Sequence, residues 1–504
     1  MILALILVPA LAGVAAFAIR NHRLRRALLV ATATAHVILT AAAALGRVAV
    51  SPVQGAVNLG IVVVEPVQTG WLVLDSVGLL FLGITSVLFF VASLYTFGYL
   101  ARESTEEHRD PEEGLLFSNA PEAIFTACFL FFLSTMTLVT VSHHFGLLWV
   151  GIEATTLTTA PLIYFHRHHR SLEAAWKYLL ICSVGIALAL LGNFFLAVGA
   201  TREGGGQDPL VLSVLLSSPA TMNVPWLKGA FLCLLVGYGT KMGLAPMHTW
   251  LPDAHSEAPS VISALLSGAL LNGAFLGILR AQQVLGAAGQ AQFGQDLLVL
   301  FGLTSMGVAA AFIVRQADYK RMLAYSSVEH MGILALGVGL GGAATFGAML
   351  HAVNHSLAKA MLFLVAGNIL AVYRTKSAEG VRGVSRTVPV SGFFWLAGFL
   401  AITGSPPFGP FLSEFTILNA ALSQQRVGVA AVYLAFLALV FVGMTTIVIR
   451  MAQGAPSQET VASEPVLAIL PPALLALPLL VFGLYLPPPL SAALHAVARA
   501  LGGS

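Results

Sequence analysis

Seven ionisable side chains sit in stretches of this chain too apolar to give them water. Glu153 lies in LLWVGIEATTLTTAPL and Lys241 in LLVGYGTKMGLAPMHTWLP. His330 lies in YKRMLAYSSVEHMGILALG, and Glu414 follows ITGSPPFGPFLSEF. His351, His355 and Lys359 stand at steps of four, which places them on one face of a helix about 6 Å apart per step. A charge at the centre of a bilayer costs about 2.5–3.5 kcal/mol on insertion scales, so it persists where it faces a partner or a wet cavity. Such groups are built to carry ions. A buried carboxyl favours its protonated form and a buried lysine its neutral one, so each takes or releases a proton when a neighbouring charge changes. Histidine titrates near neutrality and passes protons along a row. Steps of four also suit zinc for His351 and His355, but Lys359 on the same face repels a cation and no HExxH glutamate follows.

A second tier of residues supports these. His248, Asp253, His255 and Glu257 crowd HTWLPDAHSEAP, which reads either as a proton entry or as a loop-stabilising network. Glu173 and Lys177 form an i, i+4 pair, and Lys177 is also placed to tune Glu153. Asp75, near the outer end of its helix, reads as interfacial.

The elements that position these groups must be membrane helices. Of 504 residues, 58% are hydrophobic and 9% charged, against about 25% charged in a soluble domain. The mean hydropathy is +0.87. A net charge of +3 gives nucleic-acid binding no footing. Cys128, Cys182 and Cys233 lie far apart in apolar runs and offer neither an iron–sulfur nor a zinc ligand set, so no cofactor is expected on this chain. Lipid admits helices or closed barrels, and the apolar runs are too long for barrel strands. The reading is therefore an all-α membrane protein with about 14 transmembrane helices: 2–19, 27–45, 70–98, 121–141, 145–164, 172–199, 227–249, 259–280, 294–314, 323–341, 344–372, 389–420, 428–450 and 465–485. The positive cluster Arg20, Arg23, Arg25 and Arg26 follows the first apolar run, which suits a retained helix and not a cleaved signal. Counting Lys and Arg in the connections puts both termini outside. On that count Arg280 and Arg202 belong to the outward side.

Pro246 with Gly243, and Pro406, Pro407 and Pro410 with Gly409, must interrupt spans seven and twelve. Each break carries a charge beside it, Lys241 or Glu414. Broken helices near the midplane are where transporters place ion sites, commonly in inverted repeats. The expected organisation is 1–120 (helices 1–3), 121–285 (a first five-helix repeat, helices 4–8), 286–452 (a second, helices 9–13) and 453–504 (helix 14 and tail).

KMGLAPMHTWLPDAHSEAPSVISALLSG, DYKRMLAYSSVEHMG and HAVNHSLAKAMLFLVAGN resemble the antiporter-like, proton-translocating subunits of respiratory complex I, Mrp antiporters and group 4 [NiFe] hydrogenases. The likeness covers roughly 70–450, and 147–197 looks closest to hydrogenase-4 component F. It implies that Glu153 matches the span-five glutamate, Lys241 the span-seven lysine, His330, His351, His355 and Lys359 the central hydrophilic axis, and Glu414 the terminal carrier. Asn272 stands where many relatives have a span-eight lysine; a neutral amide orders water but binds no proton in this range. The function implied is an ion-translocating, non-catalytic subunit (H⁺ or Na⁺) of a redox-driven complex. Its partners would be other membrane subunits and [NiFe] hydrogenase-like and iron–sulfur subunits, in a bacterial or archaeal cytoplasmic membrane. An Mrp-type antiporter subunit and the membrane partner of an inorganic-carbon uptake system are the alternatives. The expected mechanism is electrostatic: a Glu153–Lys241 pair at ~4 Å is worth about 4 kcal/mol at an effective dielectric near 20.

Overall fold

A computed structural model of the chain describes residues 1–49, 70–103, 108–109, 114, 116–200, 208–217, 222–455 and 461–503. Arg202, one of the residues that set the expected orientation, lies outside them. The described residues are nearly all helical. Helices α1 (Ile2–Ala18), α2 (His22–Ala49), α3 (Ser76–Arg102), α4 (Glu122–Val141), α5 (Phe145–Ile163) and α6 (His169–Ala200) are followed by the short α7 (Leu212–Ser217). Then come α8 (Val224–Met242), α9 (Trp250–Glu257), α10 (Ser260–Leu265), a π turn (Leu266–Leu270), α11 (Leu271–Ala287), α12 (Ala291–Ile313), α13 (Tyr319–Leu340) and α14 (Ala343–Tyr373). The last are α15 (Val384–Thr387), α16 (Pro389–Ile402), α17 (Gly409–Ser423), α18 (Val427–Ala452), α19 (Val466–Leu484) and α20 (Pro488–Ala500). One two-residue antiparallel pair, β1 (His108–Arg109) with β2 (Leu116–Phe117), lies in the connection between α3 and α4.

Among the described residues eleven helical runs, one of them α10, the π turn and α11 taken together, are long and apolar enough to cross a membrane, so the chain is a multi-pass membrane protein. The count of 14 is not reached on that criterion. Expected span 2–19 is the 17-residue α1. Span 227–249 ends early, at Met242, and span 389–420 is divided between α16 and α17. Solvation is graded across the bundle. The window of Ser260–Ala287 is wholly enclosed by protein, whereas α6, α12, α18 and α19 turn apolar side chains outward. Trp176, Leu180, Val184 and Leu188, at helical spacing, make one such outward stripe on α6.

The two ends of the bundle differ in chemistry. At one end, Arg26 pairs with Glu122 and caps the Leu100 carbonyl, Lys376 pairs with Glu257, and buried Lys320 donates to the carbonyls of Ser256 and Ala258. Burial alone would raise the Glu257 carboxyl, but Lys376 at 2.7 Å holds it below its ordinary range. At the other end, Asp75 caps α3 and takes a two-pronged bond from Arg280 at 2.6 and 2.7 Å. Burial opposes the Asp75 charge, yet Arg280, with His143 beside it, keeps its carboxyl well below the ordinary range. Arg280, where expected span 259–280 ends, lies inside a helix. Helix α11 runs past it to Ala287, and the side chain is buried because Asp75 supplies its counter-charge.

The broken helices and their buried charges

Both interruptions use the same local device. At the end of α8, Gly243 has φ +84°, its N–H bonds the Thr240 carbonyl, and the Leu244 N–H bonds the Gly239 carbonyl. At the end of α16, Gly404 has φ +64°, its N–H bonds the Ala401 carbonyl, and the Ser405 N–H bonds the Leu400 carbonyl. This paired 5→2 and 6→1 pattern closes a helix on a left-handed residue, which glycine adopts at no Cβ cost. A cis proline follows each glycine, at Ala245–Pro246 and Pro406–Pro407. The freed backbone groups find partners inside the protein. Ala245 N–H donates to Ser305, and the Thr240 carbonyl accepts from Trp250 Nε1.

The first break presents Lys241. It lies in the last turn of α8, where the helix dipole favours a cation. Its ammonium is fully enclosed and donates to Thr156 Oγ1 at 2.7 Å and Tyr178 Oη at 2.6 Å. Thr156 in turn donates to Glu153 Oε2 at 3.1 Å. Glu153 and Lys241 are thus on one chain of hydrogen bonds but not in direct contact. A hydroxyl stands between them, so the expected ~4 Å pair is replaced by a bridge through Thr156, and their direct attraction is weaker than it would be at ~4 Å. Glu153 also departs from a fully buried position. It is half-buried on the flank of the bundle and accepts from Ser183 of α6 at 3.4 Å. The α5 window is half enclosed, so a mid-helix residue there reaches the protein's edge.

Lys177 does not reach Glu153. It pairs with Glu173 at 2.6 Å and with Asp253 at 2.9 Å, and Asp253 also pairs with Arg321. Asp253 thereby ties α6, α9 and α13 together at the basic end of the bundle. His248 is buried and lies obliquely against Tyr325. His255 is fully enclosed, stacked on Phe363 at 4.9 Å, and neither ring nitrogen has a protein partner.

The second break presents a denser group. His330 Nδ1 and His351 Nε2 are 2.9 Å apart, and His351 Nδ1 is 2.9 Å from Ser413 Oγ, the neighbour of Glu414. His330 and His355 pack ring against ring at 5.2 Å. One turn further along α14, the fully enclosed Lys359 donates to the Leu323 carbonyl at 2.8 Å and to Ser326 Oγ at 2.7 Å. Glu414 sits in the second turn of α17 with Oε1 buried and unpartnered, and its Oε2 lies against the Cα of Gly404 so closely that a Cβ would overlap it. His330, His351 and Glu414 bring three ligand-type atoms within 4.8 Å of one another. The two imidazoles already turn nitrogens toward each other, a geometry for passing a proton.

Asn272 lies between the two groups, just after the π turn. Its Nδ2 donates to the Gly268 carbonyl at 2.9 Å and to Ser356 Oγ at 2.8 Å, beside His355. Among the described residues no unbroken run of side-chain hydrogen bonds joins Lys241 to His355. A relay between them needs water, and the unpartnered nitrogens of His255 and His355 are groups that water would satisfy.

Three residues beside these groups escaped the sequence reading. Thr156 and Tyr178 hold Lys241, and nothing in their spacing distinguishes them from ordinary helix residues. Glu329 is different. It is an ionisable residue in an apolar helix, adjacent to His330 and 2% exposed, and carries the same signal that singled out Glu153.

A family profile described as "NADH:quinone oxidoreductase/Mrp antiporter, TM" matches residues 142–444, a span that holds every one of these groups. The chain is 36% identical over 418 residues to a hydrogenase-4 component F homolog of Methylacidiphilum infernorum, covering 82% of this chain and 85% of that protein. Its fold is similar to a chain of an archaeal respiratory membrane complex, the membrane-bound sulfane sulfur reductase. There the TM-score is 0.83 at 19% identity, covering 99% and 97% of the two chains. It is also similar to a chain of the Mrp complex of Dietzia sp. DQ12-45-1b, with TM-score 0.80 at 19% identity, covering 99% and 96%.

Proposed function

The chain belongs to the NADH:quinone oxidoreductase/Mrp antiporter membrane family, and on that premise we propose that it carries protons, or sodium ions, across the membrane as one subunit of a redox-driven, hydrogenase-4-like complex. The observation that carries this reading is the Lys241 site. A lysine with no exposed surface, at the C-terminus of a broken helix, is held by two hydroxyls and linked through Thr156 to a carboxylate on the protein's flank. A charge change in a neighbouring subunit acts first on Glu153, the one member of the pair that reaches the edge. The loss or gain of that charge changes the energy of protonated Lys241, and the proton moves through the enclosed histidines toward Glu414. The two helix breaks then serve two five-helix halves, 121–285 and 286–452.

The electrons are handled by partner subunits, for which [NiFe] and iron–sulfur proteins are the proposed candidates. Other membrane subunits dock along its sides. The basic end of the bundle faces the cytoplasm of a bacterium or archaeon, by the positive-inside bias. The likeness to a chain of the Mrp complex supports a second reading, a gradient-driven exchanger that uses the same buried charges.

The test is Lys241→Ala in the assembled complex, with ion movement followed in sealed vesicles. Assembly should persist and translocation should fall to background. Wild-type translocation in that variant would end the proposal. Proteins that co-purify from the native membrane separate the two readings. Redox subunits support the first, and small antiporter subunits alone support the second.

A further inference from the structure

Glu329 is a buried carboxyl to which the scheme above gives no task. It lies in α13, in a window 94% enclosed by protein, and is itself 2% exposed. Its carboxyl accepts no hydrogen bond from any described residue. Its closest basic neighbour is His330, with Nε2 4.0 Å from Oε2. That nitrogen is buried and has no hydrogen-bond partner of its own. Adjacent residues of a helix do not face each other, so this approach means that the imidazole leans back toward the carboxyl. A gap of 4.0 Å is longer than a hydrogen bond and is bridged by one water or closed by a side-chain rotation.

The spacing around Glu329 repeats that around Glu153, although Glu153 accepts a bond from its hydroxyl and Glu329 does not. At the first site a lysine of one helix donates to a hydroxyl, Thr156, that lies three residues from a glutamate on another helix. At the second, Lys359 of α14 donates to Ser326, which lies three residues from Glu329 on α13. A spacing of three puts hydroxyl and carboxyl on one helical face in both cases. The order along the helix is reversed between the two. Lys359 and Glu329 act on each other electrostatically, and Glu329 acts on Glu414. The titratable groups that face it are thus His330 on its own helix, Lys359 on α14, Glu414 on α17 and Tyr433 on α18.

We propose that Glu329 is a second proton-binding carrier, paired with Lys359 as Glu153 is paired with Lys241, and that it takes the proton from His330 on its way to Glu414. In that step the imidazolium Nε2–H bond breaks and a carboxyl O–H bond forms; no electron changes owner. The pairing supplies the second half with a carboxylate–ammonium unit of its own. The inference rests on the translocation reading of the preceding subsection.

The experiment uses the intact complex in sealed vesicles, with Lys241→Ala run in parallel. Glu329→Gln keeps the shape and removes the carrier, and translocation should fall at least roughly tenfold. Glu329→Asp, which keeps a carboxyl on a shorter arm, should retain an intermediate rate. Infrared difference spectra between protonated and deprotonated protein should contain a carboxyl band that is absent in Glu329→Gln and displaced in Lys359→Ala. Wild-type translocation in Glu329→Gln, with Lys241→Ala inactive, would overturn the inference and leave the wider reading standing. Wild-type rates in both variants would remove the wider reading first. Should Glu329→Gln not assemble, an unchanged carboxyl band in Lys359→Ala would overturn the pairing by itself.

Discussion

The two breaks differ more in what surrounds them than in how they are made. Each closes a helix on a left-handed glycine, with the same two backbone bonds and a cis proline three residues later. Around Gly243 the charged chain is short and leads outward: Lys241, Thr156, then Glu153 at the flank. Around Gly404 it is crowded and enclosed: His330, His351, Ser413, Glu414 and, behind them, Glu329 and Lys359. A common backbone device thus presents one site that reaches the flank of the bundle and one whose charged groups are enclosed. This division suits a carrier that receives a signal at one half and delivers a proton at the other.

Substituting the two glycines tests that contrast most severely. Alanine at either position is strained by the positive φ and should lower stability by about 1 kcal/mol. At Gly404 the new Cβ overlaps the Glu414 carboxyl, whereas at Gly243 it meets only the tip of the Leu251 side chain. Gly404→Ala should therefore reduce vesicle translocation at least tenfold, and Gly243→Ala only a few-fold. Equal losses would mean that Glu414 is not held where transport needs it.

A smaller effect is expected at the hydroxyls. Thr156→Val cuts the hydrogen-bonded route from Glu153 to Lys241 through the Thr156 hydroxyl, while Ser326→Ala leaves Lys359 bonded to the Leu323 carbonyl. Translocation should fall several-fold in the first and by less in the second. The reverse order would show that Glu153 and Lys241 communicate by another path.

The smallest effect concerns the ends of the bundle. Glu257 is held below its ordinary range by Lys376, so its contribution to stability is complete above the unfolded carboxyl value of about 4.3 and is lost as pH falls through the lower folded value. Thermal melting in detergent should show wild type losing stability on acidification in that range, and Glu257→Gln losing less of it. Parallel melting curves would mean that the Glu257–Lys376 pair adds nothing.

Much of this was legible in the chain itself. Charges in apolar runs, histidines and a lysine at steps of four, and prolines inside spans depend only on local sequence, because lipid penalises each of them wherever it falls. Lys241, His330, His351, His355, Lys359 and Glu414 were visible for that reason, and all six are enclosed in the structure. Tertiary packing decided the rest. Whether a mid-helix glutamate faces protein or flank depends on which neighbours cover its helix, and so Glu153 proved half-buried. The burial of Arg280 was not legible, because its counter-charge, Asp75, lies 205 positions away in the chain. Tyr178 and Thr156 acquire their role only when α5, α6 and α8 converge on one ammonium. A hydrogen bond needs two atoms within about 3 Å, and the sequence specifies the type of each atom but not the distance between helices that are neighbours only after folding.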